Sequence, residues 1–409
     1  MKMAAVAGLR GTGDWGTDER PKNFREMILW RNPNGKAPLT ALMSKMRSQS
    51  VDDPEFSWWE EELNPIRLQV NGTISTTTYT TVIVDSGDAT NLVAGDVLLV
   101  EKAETESSDV YSYDNEIVVV ASVSATTQFI VARAQAGTTA AAIPDDAFLT
   151  KIGNVYEEGS TSPDSSTRNP TKKTNYCQIF KTSYRITETA KRTRTRTGDP
   201  LKNDKKRKMF DHSVALEYSF LFGKPYEDTT GTKPKRYTGG LLHYLAAEDA
   251  NAPNHCVKVW TTTPTVDTFF DSVYRVWDYD GGTAGSERLV FAGNGFLNRL
   301  NKIARGDSGS RINFDGVVRQ YGMELMRFIL PQGTLYIRSH PLMNVHSKFN
   351  KGAFVIDPTS LVYRHLRDTT PQDNIQAPDA DEQKGQWLSE CGLEFHHAKT
   401  MQYHANFDN

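Results

Sequence analysis

Cysteine is scarce in this chain: Cys177, Cys256 and Cys391 are the whole complement in 409 residues. They lie far apart, show no metal-ligand spacing and form an odd set that cannot close into pairs within one chain, which excludes a disulfide scaffold or a zinc ribbon. Reduced thiols in a cytoplasmic folding environment are expected, with an intermolecular bridge in a finished assembly left open. Long apolar runs are lacking too, since none approaches the roughly 18 residues of a membrane span. The first ten residues have no apolar core, so no secretory signal is expected. Charge of one sign is not in excess: the net is -3, with 24% charged and 38% hydrophobic residues. There is no GxxxxGK[ST] phosphate loop, no dinucleotide fingerprint, no zinc spacing and no carboxylate pair in a catalytic setting, so neither an enzyme nor a cofactor is expected.

What is present is enough chain for two or three domains with cores of their own. Residues 1–55 mix Gly and Pro with isolated large apolar residues such as Trp15, Phe24 and Trp30. Such a segment cannot bury its aromatics against itself and reads as an arm, with one short helix over 38–46. From 56 to 189 the pattern turns to β-branched runs at 67–70, 80–84, 96–100, 116–120 and 128–132. That spacing predicts an inserted all-β domain over about 70–153. Residues 55–63 and 175–187 on either side are expected to be the two strands of one longer hairpin, and 157–173 is polar and Ser/Thr/Pro-rich.

Asp199 and Pro200 mark the start of a helix running to about Phe222, where Gly223-Lys224-Pro225 stops it. Phe210, Val214, Tyr218 and Leu221 are its expected apolar stripe. Residues 264–305 read as helix, strand and helix, 322–330 with 334–338 as a hairpin about Pro331-Gln332-Gly333, and 392–403 as one long final strand. The fold class is therefore α+β.

Three groups of residues invite a functional reading. Gly306-Asp307-Ser308-Gly309 imitates a serine-protease nucleophile loop, and Arg305-Gly306-Asp307 an adhesion triplet. A triad, however, needs a base and an orienting acid on a suitable scaffold, and short triplets arise by chance. His396, His397 and His404 with Glu394 form a histidine cluster, but neighbours on a strand face opposite sides, so a structural role is favoured over a metal. The stronger signal spans 181–208, where eleven cations oppose three acids, a net of +8. Arg192, Arg194, Arg196, Lys205, Lys206, Arg207 and Lys208 are its candidate contacts to nucleic-acid phosphates, nonspecific because no aromatic ladder interleaves. A solvated face is the competing reading.

Acidic counterparts occur at Asp52-Asp53, at Glu60, Glu61 and Glu62, and at Asp379, Asp381 and Glu382. Trp58 and Trp59 precede the three glutamates. As strand neighbours they face opposite ways, so both are covered only if a partner lies on one side. Trp58, Trp59, Glu60, Glu61 and Glu62 are thus candidate inter-subunit contacts.

The order of elements, with APLTALMSKMRS (37–48), PEFSWWEEEL (54–63), NYCQIFKTSYRIT (175–187) and GLEFHHAKTMQYHANF (392–407), resembles the major capsid proteins of tailed bacteriophages with the Hong Kong 97-type fold. The resemblance implies an N-arm at 1–55, an extended loop at 56–190 carrying the β-rich insertion, and a peripheral domain at 191–237 whose spine helix is 199–222. It further implies an axial domain at 238–350 and a return to the peripheral domain at 351–409. It implies a virion protein assembled in the host cytoplasm into hexamers and pentamers of an icosahedral head around double-stranded DNA. A portal, a separate scaffold protein and a decoration protein are the implied partners, and no membrane is. The β-rich insertion exceeds a plain extended loop. The alternatives are a tail or decoration component and, more distantly, a hydrolase or carbohydrate-binding module resting on the GDSG loop.

Overall fold

The computed structural model describes residues 47–61, 67–85, 87–101, 116–163, 169–193, 195, 198–250, 255–279, 286–306, 314–320 and 323–407. Two compact units are formed, Met1–Trp58 with Lys173–Asn409, and Trp59–Lys172. The expected helix at 38–46 and residues 307–310 of the GDSG loop lie outside the described residues.

The smaller unit is built on an antiparallel six-stranded sheet in the order Arg67–Gln69, Phe148–Asn154, Asp96–Val100, Ile117–Ala125, Gln128–Gln135, Thr81–Ile83. Alternation along Asp96–Val100 sends Leu98 and Val100 inward, against Val118, Val120, Phe129, Val131 and Leu149. The small all-β domain expected near 70–153 matches this sheet. One ion pair is enclosed in it. Arg133 donates from Nε and Nη2 to the two Glu116 oxygens, each at 2.6 Å, and the N–H groups of Ala134 and Ala141 donate to the same carboxylate at 3.0 and 3.1 Å. Burial by itself would raise the Glu116 carboxyl, but Arg133 and the two amides hold it below the usual carboxylate range.

The larger unit contains a four-stranded and a seven-stranded sheet. The first runs Ser48–Ser50, Leu361–Gln372, Glu382–Phe395, Gln178–Thr187. The second runs Val257–Val259, Gln402–Ala405, Ala353–Ile356, Glu287–Ala292, Thr334–Ser339, Met323–Ile329, Phe314–Gln320. Its central strands are apolar on both faces over 289–292 and Ala353–Ile356, as covered strands must be. Leu289 and Phe291 join the core that also holds Leu216, Phe220 and Leu221 of the long helix. Val290 and Ala292 face the other way, into a second core with Phe269 and Phe296. Helices Val266–Val273 and Asn294–Gly306 flank the strand Glu287–Ala292 in sequence, and Met323–Ile329 pairs with Thr334–Ser339 with Ile329 opposite Thr334. Helix–strand–helix and hairpin thus fall where the sequence places them.

Four expectations are corrected. The single hairpin of 55–63 with 175–187 does not form: Glu55–Glu60 pairs with Thr171–Tyr176, and Gln178–Thr187 pairs with Glu382–Phe395. The change of partner occurs at Cys177, two residues after buried Asn175, whose Nδ2 donates to the carbonyls of Gly239 and Leu393 at 3.1 and 2.7 Å. The buried positions change parity across it, from Asn175 and Cys177 to Phe180, Tyr184 and Ile186. The expected final strand 392–403 is also broken. Glu382–Phe395 and Gln402–Ala405 belong to different sheets, separated by His397 in the left-handed region at φ 51°, a conformation for which the sequence supplies no glycine.

The boundary expected at residue 350 does not coincide with a sheet boundary, because Ala353–Ile356 and Gln402–Ala405 are inner strands of the seven-stranded sheet. Finally, the stripe of the long helix is rotated. His212, Leu216, Glu217, Phe220 and Leu221 are its buried residues, while Phe210, Val214 and Tyr218 are half-buried. Two of the buried positions are polar and satisfied by partners, which a hydropathy pattern cannot reveal.

Candidate functional site

The long helix Pro200–Phe222 positions the basic residues. Its first turn is fixed by Asp199, whose Oδ1 accepts the N–H groups of Leu201 and Lys202 at 3.0 and 3.3 Å. Its rotation is set by polar bonds further along. His340 Nδ1 lies 3.4 Å from the Met343 N–H, so Nε2 carries the proton and donates to Glu217 Oε1 at 2.7 Å, with both side chains fully buried. His212 sits between Ser389 Oγ at 2.7 Å and Thr182 Oγ1 at 3.1 Å, and burial lowers its pKa. With those residues facing inward, Lys202, Lys206 and Arg207 are exposed.

The expected basic residues are not equivalent. Lys205 is engaged: its Nζ lies 2.8 and 3.0 Å from the two Asp373 oxygens and 5.8 Å from the ring centres of both Tyr184 and Trp387. It is a tether between the helix and the four-stranded sheet, where the sequence has it as a candidate phosphate contact. Trp387 Nε1 donates to the Lys205 carbonyl at 3.2 Å, completing the joint. Arg192 ends the short helix Glu188–Arg192, 85% exposed and 3.9 Å from Glu188. Arg194 and Arg196 lie outside the described residues. Lys206, Arg207 and Lys208 line an open groove of about 620 Å³ between the helix and the strand Gln178–Thr187. Phe210 and Arg185 share the lining, and sequence reasoning assigned them to no site. The legible signal was Lys206 and Phe210 four apart, hence neighbours on one helix face.

The tryptophan pair divides. Trp58 is buried, with its ring centre 5.9 Å from Tyr244, 6.1 Å from His396 and 6.2 Å from Phe56. Trp58 therefore belongs to its own subunit's core, which corrects its expected place at an inter-subunit contact. Trp59 is 65% exposed. Glu60 is half-buried and Glu61 exposed, while Glu62 lies outside the described residues.

The histidines of the cluster engage separate partners. His396 bonds Glu394, which also accepts from Arg364. Burial pushes that carboxyl up, and His396 and Arg364 bring it below the usual range. His404 is buried, accepting from Trp260 Nε1 at Nδ1 over 3.2 Å, and burial pushes it down to about 3. Among the described residues no group of three or more His, Cys, Asp or Glu is placed to hold a metal. Cys177, Cys256 and Cys391 are buried free thiols, and burial pushes Cys177 and Cys391 up to about 12. No helix among the described residues is long and apolar enough to cross a membrane.

The family of the SU10 major capsid protein matches residues 8–405, and the chain belongs to that family: it is a phage major capsid protein, a component of the virion. The major capsid protein of Pseudomonas phage PaMx41 is 24% identical over 365 residues, covering 87% of this chain and 81% of the relative. Among solved structures, the Cyanophage Pam1 capsid asymmetric unit overlaps 97% of this chain and 99% of its own, at 9% identity and a TM-score of 0.43. A Mycobacterium phage Adephagia structure overlaps 93% and 90%, at 10% identity and a TM-score of 0.44.

Proposed function

We propose that the chain is the self-assembling subunit of an icosahedral head with the Hong Kong 97-type arrangement, forming hexamers and pentamers around double-stranded DNA and catalysing no reaction. Family membership supports the reading, and the observation that carries it is the split between buried Trp58 and Trp59, 65% exposed one residue later. Tryptophan is a residue type enriched in surfaces that become covered on assembly. The portal, a separate scaffold protein and a decoration protein are its proposed partners, and the host cytoplasm is the proposed place of assembly.

Arg192, Arg207 and Lys208, with Arg194 and Arg196 of the same stretch, are proposed to face the packaged DNA and neutralise phosphates without reading bases. Electron microscopy of the overexpressed full chain, alone and with its scaffold protein, tests the reading: closed shells are expected, and tubes or permanent monomers would overturn it. Changing the five residues to Gln should lower the DNA content of particles while shells still close, and unchanged DNA content would remove the phosphate assignment.

A further inference from the structure

The groove beside the long helix carries a two-point pattern that also occurs, with opposite charge, on the exposed strand. On the strand Glu55–Glu60 and its continuation, burial alternates so that Ser57, Trp59 and Glu61 share the exposed face. Trp59 and Glu61 are therefore an aromatic and a carboxylate about 7 Å apart along an extended chain. On the helix, Phe210 and Lys206 are an aromatic and an ammonium one turn apart, with a rise of about 6 Å between them. Lys206 is exposed and makes no ion pair among the described residues, and Glu61 likewise is exposed without one. Four cations, Arg185, Lys206, Arg207 and Lys208, line the groove against Asp204 and Asp211, with Arg185 paired to Glu382. Lys208 is 3.1 Å from Asp211, whereas Lys206 is open to an incoming carboxylate.

We propose that this groove receives Trp59 and Glu61 of a second copy of the same chain, Trp59 packing on Phe210 and Glu61 pairing with Lys206. The inference rests on the reading of the chain as a shell subunit and names the surfaces through which two subunits meet. The contact is heterologous, strand face to helix groove, and so propagates from copy to copy around a ring. It takes Lys206 out of the phosphate-contact set and gives the exposed tryptophan a pocket, the usual arrangement of an interface anchor.

A charge-reversal cycle in the full chain tests it, under conditions where the unaltered protein forms shells, with assembly followed by sedimentation and negative-stain imaging across protein concentration. Trp59→Ala, Lys206→Glu and Glu61→Lys should each raise the concentration needed for shells by about tenfold, the scale of losing one interface anchor. Trp59→Phe should lose less. Combining Lys206→Glu with Glu61→Lys should recover most of the loss, which a folding defect would not do. Single variants that assemble at the parental concentration would overturn the proposal, as would a combined variant no better than the worse single one. Normal shells holding less DNA for Lys206→Glu would return that residue to the phosphate contacts. If the unaltered chain formed no shells, the subunit reading itself would fail, an outcome distinct from any of these.

Discussion

His340 donates to Glu217 at 2.7 Å where neither side chain reaches solvent. This bond joins the middle of the long helix to the segment that follows Thr334–Ser339 of the seven-stranded sheet. Removing the Glu217 carboxylate leaves the buried His340 Nε2–H without that acceptor, the expensive way to break such a pair. Glu217→Ala is expected to lower subunit stability by about 3–5 kcal/mol. Glu217→Gln keeps an oxygen acceptor for Nε2–H and should lose clearly less. Denaturant unfolding of the unassembled chain distinguishes them; equal losses would show that the carboxylate charge, not the acceptor, is what matters.

Arg133 plays the corresponding part in the β domain, where it answers Glu116 with two bonds of 2.6 Å. Arg133→Met keeps much of the packing volume but leaves Glu116 with only backbone donors, so a loss of about 3 kcal/mol is expected. Because the folded Glu116 pKa lies below its ordinary value, its stabilisation is present above about pH 4.5 and is lost as pH falls further. In Arg133→Met that acid-sensitive step should shrink. Amide hydrogen exchange over residues 96–135 as a function of pH measures both effects.

His404 has the opposite consequence of burial. Its ordinary value near 6.5 falls to about 3 in the folded chain, so the unfolded chain binds a proton that the native one refuses. Stability should therefore be unaffected above about pH 6.5 and decline by up to about 1.4 kcal/mol per pH unit between there and pH 3. His404→Gln, which can still accept from Trp260 Nε1, should flatten that slope. Unfolding midpoints at pH 4, 5.5 and 7 check it, and an unchanged slope in the variant would assign the acid sensitivity elsewhere.

The helix Pro200–Phe222 was legible because its ends are written in local chemistry: an aspartate cap, a proline at the first position and a Gly-Lys-Pro stop. The β domain was legible because alternation reports one buried face. Its inward face was not in doubt once Leu98 and Val100 were seen to alternate with half-buried residues. What stayed hidden depends on contacts distant in sequence. Nothing local shows that Cys177 separates two strands with different partners, or that His397 turns left-handed between two sheets. The helix face was misjudged for the same reason: His212 and Glu217 are polar, and only Ser389, Thr182 and His340 make them interior residues. Of the site, the basic stretch and the outward tryptophan were readable. The capture of Lys205 by Asp373 was not, since the two are 168 positions apart.

A close glycine illustrates how the helix end is held. A Cβ on Gly223 would come within 2.4 Å of the carbonyl oxygens of both Ser219 and Thr238. Gly223→Ala should therefore force backbone movement and destabilise by about 1–3 kcal/mol, the usual scale of overpacking. Gly231, whose nearest neighbour for a Cβ is a carbonyl at 3.6 Å, serves as the control. Thermal unfolding of Gly231→Ala should stay within about 0.5 kcal/mol of the parent. A similar loss in both would mean that general chain entropy, not the close approach, sets the cost.

Trp58 and Trp59 should separate folding from assembly. Trp58 packs against Phe56, Tyr244 and His396 inside its own subunit, so Trp58→Ala removes a buried aromatic and should cost about 3–5 kcal/mol in subunit stability. Trp59, 65% exposed, should cost no more than about 0.5 kcal/mol when changed to Ala in the unassembled chain. Calorimetry of monomers gives the first comparison, and light scattering during assembly gives the second. If Trp59→Ala destabilised the monomer as much as Trp58→Ala, the exposed ring would have to be an internal strut, and its availability to a neighbouring copy would be refuted.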